Sequence, residues 1–136
     1  MFKQEWTGFI RDGERYRQYN QFKSLLDPEK YLTIIDYYPK RVMFTKARAS
    51  MLPINANIHR FSHNSSDRDC KFCKGMLETE IHILYHCCLY ESLRTKFLGQ
   101  LIAKPIYQLL DGSNRYVTLK VAAFFLHAMN IRKRCM

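Results

Sequence analysis

Within the nineteen residues from Cys70 to Cys88, "CKFCKGMLETEIHILYHCC", the chain places four of its five cysteines and two of its five histidines. No other feature restricts the fold as much, because one ion bound from both ends of this run would close everything between into a loop. Cys70-x2-Cys73 has the spacing at which a tight turn brings two thiolates to one ion, about 2.3 Å from each sulfur. After eight further residues, His82-x4-Cys87 offers an imidazole and a third thiolate. The expected ligand set is Cys70, Cys73, His82 and Cys87. Three thiolates and one imidazole suit zinc in a closed, tetrahedral, structural site.

That set carries a geometric condition. His82 and Cys87 are five residues apart, about 140° round an ideal helix, so an undistorted helix cannot present both to one ion. The helix beginning near Glu78 must end or unwind around His86, leaving Cys87 on the turn that follows. Two other arrangements stay open: His82 with His86, on one face at i, i+4, or a half-site completed by Cys88. Reading the cysteines as ordinary buried small hydrophobes fits poorly with four of them beside a histidine in polar sequence. Redox chemistry at Cys-x-x-Cys would want a thioredoxin-like βαβ context. Catalytic zinc would want an open coordination position or an H-E-x-x-H arrangement. The chain carries neither pattern, so it is not expected to be an enzyme or to take a small-molecule substrate.

The rest of the sequence punctuates into helices. Glu14 to Leu26 has Tyr19, Phe22 and Leu26 on one side. Asp27-Pro28 restarts the chain, since Asp caps well and Pro is tolerated at a first helical position, and "EKYLTIIDYY" follows as a short helix. Pro39 opens a third, "KRVMFTKARASML", with Phe44, Ala47 and Met51 on one face, Arg41 and Arg48 beside it, and Pro53 as its end. Residues 54–69 read as a polar loop.

Beyond the Cys/His run, Leu89 to Ile102 reads as a helix with Leu93, Phe97 and Leu101 at four-residue steps. Lys104-Pro105 breaks it, "IYQLL" makes a short helix, and Asp111-Gly112 turns the chain into a last helix, about Arg115 to Lys133. Val117, Val121, Phe124, Phe125, Leu126 and Met129 make that helix apolar nearly all round, the pattern of a helix buried in a bundle. Lys120, His127 and Arg134 form its polar stripe. No strand pair or repeat stands out. The expected fold class is all-α, one small domain over 1–136 with a structural zinc-binding turn. Its parts are helices at 1–53, the loop at 54–69, the zinc-binding turn and helix at 70–88, and further helices at 89–134.

Composition bears on partners. With 47% hydrophobic residues the chain can build a core, and 22 Lys and Arg against 12 Asp and Glu give a formal net charge of +10. Such an excess suits a polyanion, nucleic acid before an anionic membrane surface. The longest mostly apolar run, Val121 to Met129, falls far short of the roughly 18 residues of a membrane span. The first ten residues lack a secretory h-region. An odd number of cysteines fits a reducing compartment better than a disulfide framework. The expected location is intracellular, nucleus or cytoplasm, away from membranes.

The Cys/His stretch "CKFCKGMLETEIHILYHCCLYESLR" resembles the zinc-binding tail of animal LINE-type (non-LTR) retrotransposon reverse transcriptases. The family's run is C-x-x-C, a short spacer, an acidic residue before I/F-H-x-L-x-x-C, then P-L-Y and an Arg. Upstream, "RYRQYNQFKSLLDPEKYLTII" is similar to the family's K-L-R-x-Y-x-x-F-K segment and E-x-Y-L helix, and "KRVMFTKARASM" to its R-x-x-L-T-K-F-R-x-S helix. Downstream, "VAAFFLHAMNIRKR" is similar to its closing helix. The similarity runs over residues 11–134. Cys88 stands where the family usually has Pro, and Ala47 replaces an expected aromatic. The resemblance implies a role in holding template RNA or target DNA during target-primed reverse transcription. This chain has no Asp-Asp dipeptide of the polymerase type and no endonuclease-like constellation of acidic residues with His.

Phosphate contact needs cations along a surface. The candidates are Lys40, Arg41, Lys46 and Arg48 on the third helix, with Arg60, Arg68, Lys71 and Lys74 around the metal turn. The expected function is a nucleic-acid-binding accessory module that contacts RNA or DNA through backbone charge. The alternative is a zinc-stabilised module that binds a protein partner.

Overall fold

The structure, a computed structural model, describes residues 30–135. The expected helix at Glu14 to Leu26 and the Asp27-Pro28 cap lie outside the described residues. Among the described residues every named element is helical, so the fold is all-α as expected. The first element, α1 (Tyr31–Ile34), is one turn long and buries Tyr31. After an extended Tyr37, α2 (Tyr38–Arg48) starts with Pro39 in its first turn, where the missing N–H has no intrahelical partner to lose.

The end of α2 departs from the sequence reading. Ser50 takes a φ of 56°, Met51 N donates to Lys46 O at 2.8 Å, and Ser50 N donates to Ala47 O at 3.4 Å. These are the paired bonds of a Schellman stop, with serine where glycine is usual. The helix therefore ends before Pro53, and Met51 is thrown out to 40% exposure while Leu52 and Ile54 enter the core. Residues 54–69 are likewise more than a loop. They contain α3 (Asn55–Ile58) and a 3-10 turn at Ser65–Arg68 that Asn64 caps through the Ser66 amide. Periodicity could not show this, because each piece is a single turn.

The metal-turn hairpin follows, then α4 (Glu80–Tyr85). Residues 88–103 are helical throughout but change pitch repeatedly: a 3-10 turn at Cys88–Tyr90, α5 (Glu91–Leu93), a π turn at Arg94–Leu98 and a 3-10 turn at Gly99–Ala103. The π turn adds a residue per turn, so Leu98 rather than Phe97 follows Leu93 into the core. Phe97 instead stacks on His127, with ring centroids 4.9 Å apart and planes at 14°. Then come α6 (Ile106–Leu109) and α7 (Arg115–Cys135).

Helix α7 is the spine of the domain. Asn114 Oδ1 caps it by accepting from Val117 N at 3.0 Å, and Val121, Phe124, Phe125 and Ala128 are fully enclosed. It packs on α1, α2, α5, α6 and the π turn. The turn leading into it needs Gly112: its φ is +81°, and a Cβ there would fall 3.1 Å from Tyr31 Cβ. No helix among the described residues is long and apolar enough to cross a membrane.

Candidate metal centre and its basic surroundings

Cys70 and Cys73 sit on a short hairpin. Asp69 and Leu77 form an antiparallel bridge, Cys70 N donates to Met76 O at 2.7 Å, and Glu78 N donates to Arg68 O at 2.9 Å. Gly75 turns the tip with a φ of 76°. Inside the turn the Phe72 amide donates to Cys70 Sγ at 3.4 Å, the bond a thiolate would welcome.

The other two candidate ligands come from α4 and from the turn that follows it. Thr79 caps α4 by accepting from His82 N at 3.2 Å, which fixes His82 in the first turn facing inward. The helix then unwinds where the ligand spacing demanded it. His86 leaves helical geometry with φ −126°, Cys87 N reaches back to His82 O at 2.8 Å, and Cys87 turns its sulfur inward.

The ligand atoms of Cys70, Cys73, His82 and Cys87 lie within 4.8 Å of one another, close enough to hold one metal ion. Cys87 Sγ stands 3.8 Å from Cys70 Sγ and 3.9 Å from Cys73 Sγ. Both ring nitrogens of His82 are buried without a hydrogen-bond partner, a costly state for an imidazole that nothing ligates. Burial, with His86 and Arg94 adding, lowers the His82 pKa and so favours the neutral ring that a metal needs. Burial pushes the Cys87 thiol up to about 12, so a thiolate there calls for a cation beside it. The Cys88 backbone amide lowers the Cys73 thiol, with burial opposing it. The alternative ligands stay outside the group. His86 is exposed, and Cys88, also exposed, touches only the rim, its sulfur 3.7 Å from Cys73 Sγ.

Two supports escaped the sequence reading. Arg94, buried, donates from Nη1 to Ile83 O at 2.8 Å and from Nη2 to Cys87 O. It thereby takes up Ile83 O, which loses its helical donor when Cys87 N turns to His82 O, and adds to the bond that Cys87 O accepts from Tyr90 N at 3.4 Å. Glu78, buried, receives Arg132 Nε and Nη2 at 2.8 Å each. Arg132 Nη2 also reaches Asn55 Oδ1 at 3.1 Å, and Asn55 Nδ2 donates to Asp69 O at 2.8 Å beside the first ligand. The available signal was helical register: Arg132 lies four and seven residues beyond Ala128 and Phe125, on the buried stripe.

The predicted phosphate-contacting cations divide. Lys71 and Lys74 are exposed on the metal turn. Lys40, Arg41 and Lys46 are half-buried on α2, where Arg41 Nη1 donates to Leu32 O at 3.3 Å and its guanidinium lies 5.7 Å from the Tyr38 ring. Arg60 and Arg68 are half-buried and bonded to loop carbonyls. Arg48 is a correction. It is 1% exposed, its guanidinium lies 4.8 Å from the Tyr31 ring, and it belongs to the core rather than to a phosphate-facing surface. The reason is register: four residues beyond Phe44, it shares the face that packs inward. Comparison of the chain with protein-family profiles, with curated proteins and with solved structures returns no match.

Proposed function

We propose that this chain is a nucleic-acid-binding accessory module, held in shape by a structural zinc ion and without catalysis of its own, of the kind that the resemblance to LINE-type reverse transcriptase tails implies. Zinc is favoured by the donor set and by its spacing. Sulfurs about 2.3 Å from a tetrahedral ion stand about 3.8 Å apart, against the 3.8 and 3.9 Å between Cys87 and its two neighbours. Four protein ligands leave no position for a substrate, which supports a structural role.

The observation that carries the nucleic-acid reading is the placement of Lys71 and Lys74. Both face solvent on the very turn that supplies Cys70 and Cys73, in a chain of net charge +10. A metal turn fixes such cations relative to one another, so they can meet successive phosphates without first being ordered. Binding of RNA and DNA oligonucleotides, followed by fluorescence anisotropy across a salt series, tests this. We expect log K to fall linearly with log salt, and the double variant Lys71→Ala/Lys74→Ala to make the slope shallower by about 1 to 2. Absence of binding at low salt would sink the reading, and salt-resistant binding to a protein would favour the interaction-module alternative.

A further inference from the structure

We propose that Cys73 and Cys88 form a redox pair at the rim of the metal centre: a peroxide oxidises Cys73, Cys88 closes a disulfide with it, and the centre gives up its ion. This rests on the zinc part of the reading above and not on its nucleic-acid part. It adds a modification site and the chemical class of its reactant.

Four residues bring their ligand atoms within 4.8 Å of one another, and of these Cys70, His82 and Cys87 are buried while Cys73 alone is half-buried. A small oxidant therefore meets the cluster first at Cys73. Beside it, outside the group, stands the exposed Cys88, its sulfur 3.7 Å from Cys73 Sγ. The Cys88 backbone amide faces the same sulfur. Cys88 Sγ also lies 3.8 Å from Phe72 O, the carbonyl just before Cys73. The two residues are thus neighbours in main chain as well as in side chain. A disulfide needs about 2.05 Å between sulfurs, so this pair must close by less than about 2 Å. Cys88 has room for that movement, since it lines an open groove of about 540 Å³ with Tyr85, His86 and Glu91 among others.

Cys87 Sγ is almost as near, 3.9 Å from Cys73 Sγ, but it is 1% exposed and belongs to the ligand group. Cys88 lies outside that group, so an ion there leaves its thiol available to resolve an oxidised neighbour. Cys73 Sγ attacks one oxygen of hydrogen peroxide and the O–O bond breaks. A sulfenic acid forms, and the departing hydroxide takes a proton from solvent to become water. The Cys88 sulfur then attacks Cys73 Sγ and the S–O bond breaks. The second hydroxide leaves with the Cys88 thiol proton as water. Two sulfurs give up two electrons in all, and one peroxide becomes two waters. The ion keeps three of its four protein ligands and is lost more readily. The turn loosened in this way is the one that carries Lys71 and Lys74.

The test uses the full chain loaded with zinc, in a Cys135→Ser background that removes the other exposed thiol. After stoichiometric hydrogen peroxide, native mass spectrometry reads zinc and mass, and a non-reducing tryptic digest maps the bond. We expect the ion to be lost and the protein itself to become about 2 Da lighter. The bond should join residues 72–74 to 75–94, with fragment ions assigning it to Cys88 rather than Cys87. A dithiol reductant with fresh zinc should restore the ion. In Cys88→Ser the same treatment should leave Cys73 open to further oxidation, about 32 Da heavier, and zinc rebinding after reduction should fall about tenfold. Zinc retained by the wild-type chain, a disulfide mapped to Cys70–Cys73 or Cys73–Cys87, or full recovery in Cys88→Ser would overturn the pair and leave the zinc reading standing. No zinc on the untreated chain would overturn both.

Discussion

Ser50 holds a left-handed backbone conformation, φ 56°, in which a Cβ crowds its own chain at a cost of about 1–2 kcal/mol. Its hydroxyl is buried without a hydrogen-bond partner, so the side chain contributes nothing visible in return. Ser50→Gly keeps the Schellman bonds and removes the crowding. We expect it to raise stability by about 1 kcal/mol, read as a higher denaturant midpoint at an unchanged slope. At the same scale, adjacent cysteines have opposite fates. Cys87 is turned inward by the unwinding at His86, and Cys88 faces out. By native mass spectrometry on protein made with zinc, we expect one ion per chain, lost in Cys87→Ser and kept in Cys88→Ser. The reverse result would place Cys88 in the ligand set. Spacing alone left that choice open, because the two thiols differ by one residue and only the backbone torsion at His86 separates them.

Among the elements, those with strong punctuation were readable and those with altered hydrogen bonding were not. Pro39 marks the start of α2, Pro105 precedes α6, and Gly112 precedes α7, each through a backbone constraint that the residue type announces. The run from Cys88 to Ala103 defeated a 3.6-residue template because its pitch passes from 3-10 to α to π and back. Four-residue steps pointed to Phe97 where the wider turn buries Leu98. The grouping of Cys70, Cys73, His82 and Cys87 was legible down to the break at the end of α4, since bringing His82 and Cys87 together required that break. The grip of Arg94 on that break was not, because a side chain bonding backbone carbonyls eleven and seven residues away leaves no pattern. A ligand held through its own carbonyl depends on that grip. Arg94→Lys keeps the charge but loses the fork that spans both carbonyls, and we expect metal affinity to fall about tenfold in competition with a chelator. An unchanged affinity would mean that α4 holds its own end.

For the molecule as a whole, the decisive contact is between the last helix and the metal hairpin. Glu78 and Arg132, 54 residues apart, meet in a buried bidentate pair that Asn55 joins to both α3 and Asp69. Removing one partner strands a buried charge, so Arg132→Ala should cost about 3–5 kcal/mol in chemical unfolding, and the paired change Arg132→Met with Glu78→Gln should cost less. If the single change were as mild as the double, the pair would not be acting as a buried ion pair. This network had no trace in composition or net charge, which count Glu78 and Arg132 as two more surface ions. Its long sequence separation has a consequence for how the chain is made. A growing polypeptide completes all four metal ligands well before it contains Arg132, and closing an eighteen-residue loop is quick beside the time needed to synthesise what remains. An ion could be bound early, but Glu78 keeps its water until α7 emerges. Biosynthesis would thus separate two events that equilibrium unfolding would show as one: closure of the Cys/His cluster on an ion it could hold, then latching of the hairpin by a helix made later.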